Sequence, residues 1–346
     1  MKILSLYCGA GGIDEGLRQA GLHTTLAIDQ DPDCCKTMQA NHPDVEVVQS
    51  SVADVEASLG RFDMVVGGPP CQNFSTANTQ KTMDPTEVNR FFRIVKESGA
   101  RHLIMENVQG VLKVIPKNLP YHRYFVNCAD YGVPQIRRRV IVTDLPLPKK
   151  THLERGGQFT LDGLNLPPWV SIRDALGLEG LLCNRSHRFH KNNHFPTSGP
   201  VNTLLGNATY WFRPAPDYVV QDRRHQDGVR NYSVDRPSYT IQTDTRMFLL
   251  SNLKEKWPIW YAKHPPSNIR KPAYTLTARD RGKMDKMITD NKHVRKLTVD
   301  ELATLQGFPK SYCFVGNKGE RIRQIGNALP PAVTKAFVAP LVMVKA

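Results

Sequence analysis

Four short segments of this chain carry side chains whose types and spacing could do chemistry. Cys71 stands in Gly67-Gly68-Pro69-Pro70-Cys71-Gln72-Asn73-Phe74-Ser75, directly after the β-like run Phe62 to Val66. Two prolines make a rigid loop, and at the carboxyl end of a central strand such a loop presents its thiol outward. Glu106, in Glu106-Asn107-Val108, follows the apolar Leu103-Ile104-Met105. A carboxylate held among apolar residues has its pKa pushed up and can share or donate a proton near neutral pH. Arg137 and Arg139 lead into the run Val140 to Thr143, and strand alternation puts both on one face, fit to grip a carboxylate, phosphate or base oxygen. The fourth segment is the turn Tyr7-Cys8-Gly9-Ala10-Gly11-Gly12, which opens a helix through Leu17.

Glycines after a first strand let a cofactor approach the backbone, and the first acidic residue after strand two, Asp29, is placed to bind ribose hydroxyls. The strict dinucleotide fingerprint wants glycine where this chain has Asp14. An acidic side chain at a helix start repels pyrophosphate, so a nucleoside without phosphate fits better, and S-adenosylmethionine is such a molecule. Each segment alone has a plainer reading: a tight turn, a buried thiol, a surface or helix-capping glutamate, a solvated basic edge.

The elements that must position these residues show in the texture of the chain. Up to about residue 145, β-like runs (Lys2 to Leu6, Thr24 to Ile28, Val45 to Val48, Met64 to Val66, Leu103 to Met105, Arg139 to Val142) alternate with helix-like stretches, the pattern of a parallel α/β sheet. From 151 to 290 the texture changes: 11 Pro, all four Trp and 15 of the 28 aromatics fall there with no long helical period, which predicts a loop-rich second domain. Near the C-terminus Thr298 and Glu301 form a capping box ahead of a short helix. A final helix over 331–344 is apolar enough to rejoin the first domain's core.

The 346 residues carry formal charge +14, which points to a polyanion, most simply nucleic acid. The stretch 151–290 holds 20 Lys and Arg against 13 Asp and Glu, so the charge is only modestly concentrated there. The longest apolar runs fall short of the roughly 20 residues of a membrane span, so a soluble, cytoplasmic protein is expected. Seven scattered Cys predict free thiols in a reducing compartment.

Together these segments resemble the DNA (cytosine-5) methyltransferase family along most of the chain. Tyr7 to Gly12 is similar to its cofactor motif, with Tyr7 where the family usually has Phe. Pro69-Pro70-Cys71 resembles its nucleophile loop, Glu106-Asn107-Val108 its carboxylate motif and Gln135-x-Arg137-x-Arg139 its arginine motif. Arg295 to Pro309 and Gln324 to Pro331 resemble its two C-terminal motifs.

The resemblance implies a Rossmann-like S-adenosylmethionine-dependent methyltransferase sheet (1–150 and 293–346) and an irregular β-rich target-recognition domain (151–292). It implies catalysis by Cys71, Glu106, Arg137 and Arg139. It implies S-adenosyl-L-methionine binding by Tyr7, Gly9, Gly11, Gly12, Ile13, Asp29, Ser51, Val52, Pro69, Asn327 and Ala328. Substrate contacts would come from Gln72, Asn73, Ser75, Asn107 and Gln135. The expected partner is double-stranded DNA, bound by a monomer, and the resemblance implies either a restriction-modification methylase, with an endonuclease acting on the same site, or an orphan prokaryotic methylase. RNA methyltransferases resemble the same family, but their recognition domains tend to be small and the long middle segment favours DNA.

Three departures stand out. Ser51 occupies a place where the family has Asp, only 27 positions separate Val108 from Gln135, and Asn89-Arg90 replaces a more apolar pattern. Cys183, His187, His190 and His194 have zinc-like spacing but no CxxC pairing, and Arg185, Arg188 and Lys191 between them suit a nucleic-acid backbone equally well. No metal is expected. Tyr210-Trp211-Phe212 reads as core of the second domain, with base contact as the alternative.

Overall fold

The computed structural model describes residues 1–55, 60–70, 84–154, 166–177 and 297–342, together with the backbone of short strands between 180 and 232 and of 295–296 and 343. Its centre is a seven-stranded sheet in the order β3-β2-β1-β4-β5-β8-β6. These strands are β1 (Ile3–Leu6), β2 (Leu26–Asp29), β3 (Glu46–Gln49), β4 (Met64–Gly67), β5 (His102–Asn107), β6 (His122–Asn127) and β8 (Arg138–Thr143). The first five pair in parallel, while β8 runs antiparallel to both β5 and β6. A two-residue β7 (Gln135–Ile136) precedes β8.

Period-two alternation sends successive strand residues to opposite faces, and each face has its own core. Leu4, Leu6, Val65, Met105, Val140 and Val142 pack on one side with Val88, Phe91 and Phe92 of α3 (Thr86–Glu97). Ile3, Met64, Val66, Ile104 and Ile141 pack on the other with Ile13 and Leu17 of α1 (Gly12–Gln19) and with Val333 and Phe337 of α7 (Pro331–Met343). The last helix thus returns to the first, and a Cβ on Gly16 would lie 2.4 Å from Pro331 O.

Three more helices complete the packing: α2 (Pro32–Asn41), α5 (Val299–Gln306) and α6 (Lys318–Asn327). The capping box at Thr298 forms as the sequence predicts, its hydroxyl accepting from Glu301 N while Glu301 Oε2 accepts from Thr298 N. The short α4 (Ile172–Leu176) buries Ile172 with Leu297, Leu302 and Leu305, so residues just past 166 pack with the C-terminal segment.

β9 (Gly180–Arg185), β10 (Asn193–Pro196), β12 (Thr209–Pro214) and β15 (Arg295–Lys296) form a second, antiparallel sheet. β11 (Val201–Asn202) pairs in parallel with β7, and β13 (Val220–Arg223) pairs with β14 (Val229–Tyr232). The stretch between Val108 and Gln135 holds a 3-10 turn at Gln109–Lys113, then β6, a strand the sequence reading did not anticipate, and a second 3-10 turn at Cys128–Tyr131.

Candidate active site

The cofactor turn is shaped by left-handed backbone. Tyr7 has φ 52°, Gly9 54° and Gly11 75°. A Cβ on Gly9 would meet nothing within 4 Å, so the turn opens there. A Cβ on Gly11 would lie 2.7 Å from Tyr312 Oη, and one on Gly12 2.4 Å from Leu329 O, so these two glycines admit the C-terminal segment. Ile13 is buried in the core below.

Asp29 ends β2 beside Gly9: its Oδ2 accepts from Gly9 N at 2.8 Å and its Oδ1 from Asp31 N at 2.9 Å. Burial pushes this carboxyl up, against the pull of those two N–H groups. Ser51 accepts from Ala53 N at 3.1 Å and caps the 3-10 turn that begins at the buried Val52. Asn327 closes α6, and Ala328 O accepts from Gln306 Nε2 at 2.5 Å.

Asp14 is not at the mouth of the turn. It is buried and accepts from Ser5 Oγ at 3.1 Å and Thr24 Oγ1 at 2.6 Å. The repulsion of pyrophosphate assigned to it from sequence therefore does not act by contact.

At the carboxyl ends of β4 and β5 lie the residues of the second cluster. Arg139 Nε is 2.7 Å from Glu106 Oε1, with both side chains 12% exposed. Glu106 is register partner to Ile141, and Arg139 lies two residues from Ile141, so the two side chains share a face. A Cβ on Gly68 would stand 3.3 Å from Glu106 Oε2, which makes glycine the residue that lets the loop pass the carboxylate. Asn107, itself buried, donates from Nδ2 to Pro69 O at 3.0 Å and fixes the root of the same loop.

The arginine motif divides. Arg137 falls between β7 and β8, is 1% exposed, and donates to Gly326 O of α6 at 3.0 Å. The β6–β8 ladder carries on past the end of β8, with Cys128 N donating to Arg137 O at 2.8 Å, so what separates Arg137 from Arg139 is the partner that each side chain reaches. Gln135, fully buried, donates to Gln306 Oε1 at 2.6 Å, and Gln306 in turn reaches Ala328 O. Gln135 and Arg137 thus hold the C-terminal segment, and Arg139 holds Glu106.

Cys71, Gln72, Asn73 and Ser75 lie outside the described residues, as do the side chains of Cys183, His187, His190, His194 and Tyr210 to Phe212. Cys8, Cys34, Cys35 and Cys128 are buried free thiols. Burial pushes all four up, Cys35 to about 11 and Cys128 to about 12, so none is a ready thiolate at neutral pH.

Sequence reasoning missed the residues that close the turn from the far end of the chain. Tyr312 Oη donates to Ala10 O at 2.6 Å, and its ring packs with Phe308 and Phe314. On α2, Thr37 Oγ1 donates to Gln324 Oε1 at 2.7 Å, and Arg323 bridges to Asp31 at 2.6 Å. The aromatic spacing at 308, 312 and 314 was a signal for a packed cluster, but not for what it packs on.

An open glycine turn after β1, an acidic residue ending β2, and a carboxylate with arginine beside the β4 loop are the features of an α/β enzyme with its site at the carboxyl ends of the strands. The family model for C-5 cytosine-specific DNA methylase matches residues 1–342, and the chain belongs to that family of enzymes. It is 32% identical over 216 residues to the Type II methyltransferase M.AquIA of Picosynechococcus, spanning 51% of this chain and 87% of that protein. It is 28% identical over 367 residues to Type II methyltransferase M1.HphI of Haemophilus parahaemolyticus, spanning 97% and 85%. Among solved structures, a mutant of Spodoptera frugiperda DNMT2 shares the fold, with TM-score 0.57, 14% identity and 99% of each chain covered. Among the described residues, no helix is long and apolar enough to cross a membrane.

Proposed function

We propose that this enzyme is a sequence-specific DNA cytosine-5 methyltransferase that uses S-adenosylmethionine and acts as a cytoplasmic monomer on double-stranded DNA. Its relatives' Type II character suggests a restriction-modification role beside an endonuclease of the same specificity. The observation that carries the reading is the Glu106–Arg139 pair beside Gly68, just ahead of Cys71 in the chain.

Cytosine C5 is a weak nucleophile. In this reading Cys71 Sγ bonds to C6 of a base flipped from the stack, and the ring becomes an enamine. Glu106 hydrogen-bonds N3 and the exocyclic amine and gives N3 a proton as the S–C6 bond forms. Arg139 holds Glu106 and steadies the ring carbonyl. The cofactor, when bound, supplies an electrophilic methyl group for C5. Loss of the C5 proton to a solvent water, with N3 returning its proton to Glu106, then lets the S–C6 bond break and returns the thiolate. The open space at Gly9 and the carboxylate of Asp29 fit the methionyl and ribose parts of such a nucleoside.

Arg137, Gln135 and Asn107 become positioning residues on this reading, and we place target recognition after Gly177, up to about residue 292. The test is methyl transfer from labelled S-adenosylmethionine to mixed-sequence duplex DNA and to bulk tRNA, with Cys71→Ser as control. Label in DNA that vanishes in the variant is expected. Retained turnover in Cys71→Ser would sink the mechanism, and label in tRNA alone would sink the DNA reading.

A further inference from the structure

Tyr7 is the one non-glycine residue with positive φ among the described residues. L-residues avoid this region because Cβ crowds the following carbonyl, so neighbouring structure must hold it there. Its hydroxyl donates to Glu87 Oε2 at 2.6 Å and also lies 3.4 Å from Glu87 O. The other carboxylate oxygen of Glu87 is held by Arg90, one turn along α3. The ring itself packs against the core cluster that contains Val88, Phe91 and Phe92. Two residues on, Gly9 donates to Asp29 and borders the open space.

The anchor therefore sits between β1 and the atoms that face the cofactor, on a helix that is the first described element after the segment bearing Cys71. We propose that Tyr7 is a positioning residue whose hydroxyl, gripped by Glu87 and Arg90, fixes the cofactor turn against α3 and so sets affinity for S-adenosylmethionine. This rests on the cofactor assignment above. Burial and the Glu87 hydrogen bond both hold the phenol's pKa well above its ordinary value, so the hydroxyl stays a donor across any working pH. A phenylalanine would keep the ring packing and lose only the directional tie.

The test compares wild type, Tyr7→Phe, Glu87→Gln and the double variant by calorimetric titration with S-adenosylhomocysteine and by steady-state transfer. Tyr7→Phe should raise Kd and the cofactor KM about fivefold, the scale of one charge-assisted hydrogen bond partly lost. Its kcat at saturating cofactor should stay within about twofold of wild type. The double variant should bind no worse than either single variant, because all three break one link. Unchanged Kd, additive losses, or a lower Tm with normal cofactor affinity would overturn the inference alone. Wild-type protein that binds no S-adenosylhomocysteine would overturn the cofactor reading and the inference with it.

Discussion

Arg139 meets Glu106 across the ends of two antiparallel strands, its Nε 2.7 Å from Oε1, with Oε2 left toward Gly68. The guanidinium holds the carboxylate at Oε1, and Oε2 lies beside the Gly68 backbone. If that oxygen handles the proton of the reacting ring, Glu106→Gln should lower kcat by about 100-fold or more while cofactor affinity stays near wild type. Single-turnover methyl transfer alongside S-adenosylhomocysteine titration measures both. A Glu106→Gln enzyme with near-normal kcat would remove the residue from the chemistry.

Arg137 predicts the opposite split. Its partner Gly326 O belongs to α6, so Arg137→Met takes a donor from a buried carbonyl and should destabilise the fold by about 2 kcal/mol. Urea unfolding should show this loss, while kcat per folded molecule falls far less than in Arg139→Ala. Equal kcat losses in the two variants would restore Arg137 to a direct role.

The glycines of the turn separate in the same way. Gly12→Ala drives a Cβ to 2.4 Å from the backbone oxygen of Leu329, and overpacking of this kind costs about 1–3 kcal/mol. Gly9→Ala meets no atom, but it fills the open space and strains a φ of 54°. Thermal unfolding should single out Gly12→Ala as the less stable, and cofactor titration should single out Gly9→Ala as the weaker binder.

Acid should loosen the attachment of α6. Burial alone would raise the Asp31 carboxyl, but the Cys34 N–H and the Arg323 guanidinium outweigh it and hold it below its usual range. A lowered folded-state pKa contributes stability above the unfolded value, near 3.9, and that stability is lost as pH falls through the folded value. Asp14 and Asp29, both raised by burial, act in the reverse sense and favour the folded state as pH drops. Asp31→Asn should therefore flatten the decline of the urea midpoint between about pH 5 and 2.5. A decline as steep as wild type would show that Asp31 does not govern it.

The charge of +14 predicts that DNA affinity falls steeply with salt, as phosphate contacts release counterions. Fluorescence anisotropy between about 50 and 200 mM salt should give a linear log–log plot with a slope of several units. A flat plot would count against a phosphate-gripping surface.

The glycine turn after β1, the root of the Pro-Pro loop and the end of β5 were legible because each is a local device. A glycine turn after an apolar run, a Pro-Pro loop at a strand end and a carboxylate closing another strand are written in contiguous residues. Backbone geometry then dictates where such residues point. The same locality made the sheet strands and the Thr298 capping box readable, since period-two alternation and cap chemistry need only neighbours in sequence.

What the tertiary structure alone decided is the division of labour among those residues. Alternation put Arg137 and Arg139 on one face, and only the fold gave them different partners: Arg139 pairs with Glu106, while Arg137 donates to Gly326 O, 189 positions away. Asp14 looked like a charge at a helix mouth, but Ser5 and Thr24 draw it inward. Tyr312 closes the turn on Ala10 across 302 positions. No local pattern encodes such pairings. They depend on which buried donors and acceptors are brought together once both faces of the sheet are covered, and an unpaired polar group there costs too much to be left alone.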